Sequence, residues 1–451
     1  MSASPGRPSR PDNRPRVLFL NPPHNRRVIR DCYCSHEVKG PYYWHQLDLQ
    51  VQSAILSEHA DVRVIDSIAE HLGANETIEK ARQASPDWVL LLVGDCVWQD
   101  DLAFAERLHE ALPEARIVGS GDFFMADPAA ALERTDALHA VLLDFGSDAF
   151  SLMVRGDPPQ SDVALRGPKG IELLPRNSAE LISYPIPPDY WFRTDLFRLP
   201  FYGGDPFYSL LTSYGCPYAC SFCHVPALGY RLRPHAEVRA EIQVALARGI
   251  RRFYFRDATF GLPRQQTLEL CRWMAETPRG LTFNCFSRVD VLDRDLLQAM
   301  ALAGCGVIQV GVETLDESAA AAAGKETDRD QIRTLIRTCR GLGILTSMHL
   351  LLGLPNDRWI GSDRALRDVI DLDPDFISLN VLYPRPGSEM AGLGSCPSAV
   401  ERARLQTEAG RWHRRFYLRP RRVLSELRRM RSPADLLQAS RAAAIALRRN
   451  R

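Results

Sequence analysis

Three cysteines stand close together in the run Thr212 to Cys223 (TSYGCPYACSFC): Cys216, Cys220 and Cys223. The spacing C-x3-C-x2-C on one short loop lets three thiolates converge on one face of an iron–sulfur cubane, leaving one iron without a protein ligand. That open iron is where chemistry can happen. Zinc is the competing reading. It wants a fourth ligand, and His224 follows immediately, although Cys223 and His224 are awkward as two corners of one tetrahedron and no second, distant pair of ligands is evident. Cys271, Cys285, Cys305 and Cys339 each lie in an apolar or helical stretch and read as buried structural thiols. Eleven cysteines scattered through 451 residues do not form a disulfide framework, so a reducing compartment is expected.

The cysteine loop follows an apolar run, Tyr208 to Thr212, that opens a series of candidate strands. Phe253 to Phe255, Thr282 to Phe286, Val307 to Val312, Leu345 to Leu352 and Phe376 to Leu382 continue it, separated by helical segments such as Ala236 to Arg248 and Asp328 to Leu342. Strands that alternate with helices predict a parallel sheet, here a partial (βα)6 barrel over residues 206–395 with its active site at the carboxyl ends of the strands. Before it, Val17 to Leu20, Val62 to Ile65, Trp88 to Val93, Ile117 to Val118 and Ala140 to Leu143 alternate with helical patterns in the same way, predicting a Rossmann-like domain over residues 16–155. The fold class is therefore α/β. Ligands of such a sheet sit outside the carboxyl ends of its strands. Asn21, Gly94, Gly119, Gly121 and Gly146 mark those ends, where small or turn-forming residues let a backbone approach a ligand, although ordinary α/β loops look the same.

Residues 156–205, rich in Pro and polar side chains, read as a linker. Residues 1–15 read as a disordered leader without an apolar core, and residues 396–451 as a helical region. The run Arg411 to Arg422 interleaves basic and aromatic residues, which suits a nucleic acid or a membrane surface, but more often marks a solvated helix whose apolar side docks on the barrel. Another unusual stretch, Asp31 to His36 (DCYCSH) followed by Tyr42 to His45 (YYWH), either lines a ligand or packs at the domain interface. Basic and acidic side chains nearly cancel, 56 against 55, so no overall field points to nucleic acid. No apolar run is long enough to span a bilayer, and a cytoplasmic location is expected.

The cysteine loop resembles the signature of the radical S-adenosylmethionine (SAM) superfamily, and the resemblance covers most of residues 205–390. It implies a [4Fe-4S] cluster on Cys216, Cys220 and Cys223, SAM as the ligand of the fourth iron, and release of a 5′-deoxyadenosyl radical once an external flavodoxin or ferredoxin has reduced the cluster. Phe222 matches the aromatic that packs near the adenine. Arg256 to Phe260 (RDATF) resembles the segment ending the family's second strand, which implicates Asp257 in SAM binding. Ser287 to Asp290 (SRVD) resembles a segment after the third strand. Its Arg288 is suited to the SAM carboxylate, because guanidinium binds carboxylate bidentately. Gly304 to Glu313 (GCGVIQVGVE) resembles the stretch whose glutamate accepts from SAM amino or ribose groups. Gly353-Leu354-Pro355 and Tyr383 to Ser388 resemble turns that shape the pocket.

A Rossmann-like domain ahead of the barrel resembles the cobalamin-binding subgroup, as do Asn21-Pro22-Pro23 and the run Arg415 to Pro420. Membership implies cobalamin over the barrel mouth and methyl transfer to an unactivated carbon of a small molecule. Some members cyclise or rearrange their substrates instead. The D-x-H-x-x-G motif is absent, which implies cobalamin without a histidine on its lower face. A reading from another class is a non-catalytic cobalamin or iron–sulfur sensor acting through the Arg-rich tail. It would predict steeply salt-dependent oligonucleotide binding and no SAM cleavage.

Overall fold

Runs that are apolar at every position, not at alternate ones, build the first sheet. Its strands β1 (Arg16–Asn21), β2 (Asp61–Asp66), β3 (Trp88–Leu92), β4 (Arg116–Ser120) and β5 (Ala140–Leu142) are parallel and stand in the order β2-β1-β3-β4-β5. Val17 to Leu20 and Val89 to Leu92 are buried on both faces, as strands covered by helices on both sides must be. The order reverses between β1 and β3, which makes their carboxyl ends the topological switch point. The computed structural model describes residues 14–424 except 39–41, 178, 200–204, 278–279, 327, 361, 395 and 421. Most of the expected leader and the Arg-rich end of the helical region therefore lie outside the described residues.

Two further strands, β6 (Val163–Gly167) and β7 (Gly170–Leu174), extend the sheet antiparallel beside β5. They fall in the segment expected to be a linker. Only Val163 and Ala164 bury fully and Leu173 is half exposed, so this edge hairpin carries no apolar periodicity that a sequence reading could detect. The same segment also delivers Trp191 and Phe197, both buried, to the seam between the two sheets.

The second sheet comprises β8 (Phe207–Leu210), β9 (Arg252–Phe255), β10 (Thr282–Arg288), β11 (Cys305–Glu313), β12 (Leu345–Leu352) and β13 (Phe376–Val381). These six pair in sequence order, parallel throughout, so the helices between them lie on the outer face. Phe253, Phe255, Phe283, Cys285 and Ile308 point outward into that helix layer and are fully buried. Alternation leaves Tyr254, Asn284, Phe286, Arg288, Gln309 and His349 facing inward.

Helix α1 (Leu47–Leu56) joins the two halves and is buried at nearly every position, polar ones included. Two of its glutamines donate, one to each side of the seam. Gln50 donates to Tyr208 Oη (2.8 Å) and the Ser209 carbonyl (2.9 Å) in the barrel, whereas Gln52 donates to the carbonyls of Phe145 (2.8 Å) and Ser147 (2.7 Å) in the first domain. A single apolar cluster runs from Phe19 through Trp191 to Phe253 and Phe283. Helix α2 (Ala399–Tyr417), opened by a Ser398/Glu401 capping box, buries Trp412 and Phe416, and Tyr417 Oη binds the backbone of Ile377. That part of the basic–aromatic run docks on the barrel. Among the described residues no helix is long and apolar enough to cross a membrane.

Candidate active site

The cysteine loop leaves the barrel at the carboxyl end of β8. A short hairpin, Ser213–Gly215 against Tyr230–Leu232, holds its ends. Gly215 sits at φ +73°, and a Cβ there would lie 1.7 Å from the Gly229 carbonyl oxygen, so no other residue fits. Asp257, at the end of β9, braces the loop's entry. Its Oδ1 accepts from the amides of Thr212 (2.7 Å) and Ser213 (3.1 Å), and its Oδ2 from the Thr212 hydroxyl. Both oxygens are thus engaged, and the carboxyl is buried, which pushes its pKa up to about 6. Asp257 thus positions the loop, a role the sequence expectation did not include.

The three thiols are partly buried and unbridged. Cys223 donates its amide to the Cys220 carbonyl (2.9 Å), and Cys216 Sγ lies 3.6 Å from Thr259 Oγ1. Burial pushes the Cys220 and Cys223 thiols up, the latter to about 12; as on any such ligand, iron would replace that proton. Among the described residues, no three His, Cys, Asp or Glu side chains converge on one point as a single ion would require. A cubane takes each thiolate on its own iron, and this donor set fits it. His224, the fourth ligand a zinc site would need, turns away: its Nε2 donates to the Cys32 carbonyl (2.8 Å).

Arg288 ends β10 with its guanidinium over the Tyr218 ring (3.8 Å) and Nη1 3.3 Å from Cys220 Sγ. Asp290 grips Nε and Nη2 at 2.9 Å each. Glu313 ends β11 in the left-handed region (φ +67°), a costly conformation for a side chain with a Cβ. Lys325 holds it there, its Nζ 2.8 Å from Glu313 Oε1 and 2.6 Å from the Gly311 carbonyl. A Cβ on Gly311 would stand 2.7 Å from both Oε1 and Nζ, so a larger residue there would push the pair aside. Lys325 also belongs to a segment that lies against the cysteine loop: Ser221 donates its amide to Ala323 (3.2 Å), and the place of a Cβ on Gly324 is 2.9 Å from the Ala219 carbonyl. Phe222 packs beside Leu351, Leu354, Leu382 and Met390. The cysteines, Arg288 and Glu313 therefore gather at the carboxyl ends of the strands, with Lys325 added by the structure.

The first domain meets this mouth through the Asp31 to His36 segment. Tyr33 Oη accepts from the Gly215 amide (2.8 Å), and Asp31 pairs with Arg256 (2.8 Å), both side chains buried. The five positions expected to frame cobalamin are occupied by the chain's own packing. Asn21 donates to Tyr43 Oη (2.6 Å) and Asp66 (2.9 Å) and accepts from Arg30 (3.0 Å). A Cβ on Gly94 would meet Arg30 and Ser35 at 3.0 Å, on Gly119 the Phe124 ring at 2.7 Å, on Gly121 the Val93 carbonyl at 2.3 Å, and on Gly146 Ile182 at 2.5 Å. These glycines serve the domain's own close contacts and make no cradle among themselves. Polar groups do gather without full pairing where the carboxyl ends of β3 and β4 face the barrel. Asp95 Oδ2 is buried without a partner there, and its carboxyl is pushed up to about 7 by burial and Asp122.

Residues 210–364, the stretch from the cysteine loop to the fifth strand, match the model of the Radical SAM superfamily. The chain carries a radical SAM domain. An uncharacterized methyltransferase of Pyrococcus horikoshii is 22% identical over 83% of this chain and 82% of its own length. The anaerobic magnesium-protoporphyrin IX monomethyl ester cyclase of Synechocystis is 23% identical over 88% of this chain and 80% of its own. The fold matches that of the radical SAM methyltransferase TsrM from Kitasatospora setae, solved with cobalamin and a [4Fe-4S] cluster bound, at TM-score 0.66 and 19% identity over 83% of this chain and 77% of that one. Residues 210–364 thus form a radical SAM domain within a mixed α/β fold of parallel sheets. Lys325 and the Asp31–Arg256 pair escaped the sequence reading, because each depends on a contact across a gap in sequence that no local pattern encodes.

Proposed function

We propose that the protein is a cobalamin-dependent radical SAM methyltransferase acting on an unactivated carbon of a small molecule. The observation that carries the reading is the convergence of Cys216, Cys220 and Cys223 with Arg288, Glu313 and Lys325 at one barrel mouth, beneath a Rossmann-like domain. When bound, the cluster supplies the electron that splits SAM and cobalamin supplies a methyl carrier. The chain's own residues do the placing. Arg288 sets positive charge against the Cys220 thiolate, and Glu313 offers Oε2 to the SAM amino or ribose groups while Lys325 fixes Oε1. The Asp31 to His36 segment walls the mouth from the first domain. The fold's likeness to TsrM, solved with cobalamin bound, supports that cofactor here. A flavodoxin or ferredoxin is the expected electron donor, and the cytoplasm the expected compartment.

The second reading is radical cyclisation or rearrangement without methylation, favoured by the similarity to the magnesium-protoporphyrin cyclase over most of both chains. Anaerobic reconstitution with iron, sulfide and hydroxocobalamin, followed by SAM turnover under dithionite, tests both. The proposal expects iron and cobalt in the chain and 5′-deoxyadenosine that Cys220→Ala abolishes. With substrate, S-adenosylhomocysteine and 5′-deoxyadenosine should form in near-equal amounts. 5′-Deoxyadenosine alone would select the second reading, and neither metal would overturn both.

A further inference from the structure

We infer that the barrel lumen between Trp44 and His349 is the substrate chamber, and that it takes an uncharged, flat, unsaturated ring bearing its own hydrogen-bonding atoms. The inference rests on the radical SAM reading and names the substrate class for that same site.

Aromatic faces run in an arc around the lumen. The Trp44 ring lies 5.8 Å from Tyr254, Tyr254 6.1 Å from Phe286, and Phe286 5.3 Å from the His349 imidazole. Tyr42 stacks on the outer side of this arc, 5.1 Å from Trp44. Phe286 and His349 stand on the inner face of central strands, yet both stay half-buried, whereas Tyr254 below them is closed off. The accessible area of an inward side chain on a central strand opens into the lumen, so Phe286 and His349 present their rings to the upper chamber, surfaces on which another π-system stacks, while Arg256 lies over Trp44 (4.9 Å) and Tyr254 (5.3 Å). Chemistry lies at one end of the arc, since Glu313 and Lys325 are the charged groups that act on His349.

Charge at the wall is already matched. Arg256 is held by Asp31, Arg288 by Asp290 and Lys325 by Glu313, and burial lowers the His349 pKa to about 4, so its ring is neutral at pH 7. An ionic substrate would give up hydration here without gaining a counter-ion. Among the described residues around the lumen, the Trp44 indole Nε1, His349 Nε2 and both side-chain amide atoms of the inward-facing Asn284 have no protein partner. Buried polar atoms in folded proteins are ordinarily paired, and a ring carrying an N–H and a carbonyl offers a donor and an acceptor to such groups.

Saturation-transfer NMR on the reconstituted full chain tests this with three probes: 2-quinolinone, which is flat and neutral, quinoline-2-carboxylate, which is flat and anionic, and decahydroquinolin-2-one, which is neutral but saturated. The signal of 2-quinolinone should exceed the other two by about fivefold, fall by a similar factor in Phe286→Ala and His349→Leu, and return in Phe286→Tyr. Equal signals from the carboxylate or the saturated lactam, or a 2-quinolinone signal that survives both substitutions in chains that still load iron, would overturn the assignment. Probe binding needs neither SAM nor electrons. Release of 5′-deoxyadenosine by the unmodified chain therefore tests the radical reading separately, and either can fail without the other.

Discussion

Glu313 shows how a single side chain is set for work. A positive φ and a partly buried carboxylate are both unfavourable, and each is offset by Lys325, which bonds the carboxylate and the backbone two residues before it. Lys325→Met should leave Glu313 unpaired and loosen SAM binding by about tenfold or more, roughly 1.4 kcal/mol, with iron content unchanged; equilibrium dialysis against SAM would show it. Asp48 makes a different case. Burial, with Asp31 nearby, raises its pKa from 3.8 to about 7, although the Cys32 amide (2.9 Å) and the Ser120 hydroxyl (3.0 Å) donate to it. Between those values the folded chain holds a proton that the unfolded chain has released, so this group's contribution to stability falls as pH rises from about 4 to about 7. Asparagine can accept from Cys32 with its oxygen and donate to the Ser120 hydroxyl with its amide. Asp48→Asn should therefore flatten that slope, gaining on the unmodified chain as pH rises, in thermal melts from pH 4.5 to 7.5.

Elements carry the geometry that residues alone could not announce. The cysteine spacing singled out three thiols that the fold brings to the barrel mouth, and apolar runs placed all six barrel strands, because a strand buried between a helix layer and a lumen must be apolar along most of its length. Arg288 and Glu313 were legible for the same reason, as charges closing such runs. What a strand end does in three dimensions was not legible. Asp257 looked like a SAM ligand, but nothing in the sequence showed that it ties down the loop before Cys216. Gly121 looked like room for a cofactor, yet at φ +126° it lets β4 turn beneath the Val93 carbonyl. Gly121→Ala should thus destabilise the first domain by well over about 1 kcal/mol, through strain and contact together, visible as a lower urea midpoint whether or not cobalamin is present. If the glycine served only a cofactor, the substitution would weaken cobalamin retention and leave the midpoint in place.

At the scale of the whole molecule the two sheets are not beads on a linker. Helix α1 hydrogen-bonds to both, a common apolar cluster crosses the seam, and Asp31 reaches from the first domain to Arg256 in the barrel while its other oxygen accepts from the amides of Tyr33 and Cys34. That arrangement ties the cysteine loop to the first domain, since Tyr33 in turn receives the Gly215 amide. Unfolding of the two halves should accordingly be coupled. Asp31→Asn keeps an oxygen for the two amides but leaves Arg256 charged, buried and unpaired, a change that costs about 3–5 kcal/mol when a buried pair loses one partner. The expected result is a lower urea midpoint together with faster hydrogen exchange in residues 28–36 and 207–215 alike. Adding Arg256→Met removes the stranded charge, so the double variant should recover much of the loss, because replacing a whole buried pair with apolar groups is often close to neutral. If the double variant were as unstable as the sum of its parts, the pair would be two independent contacts, and the coupling between the first domain and the cysteine loop would have to run through α1, the shared apolar cluster and the bonds of Tyr33 and Cys32 to the loop.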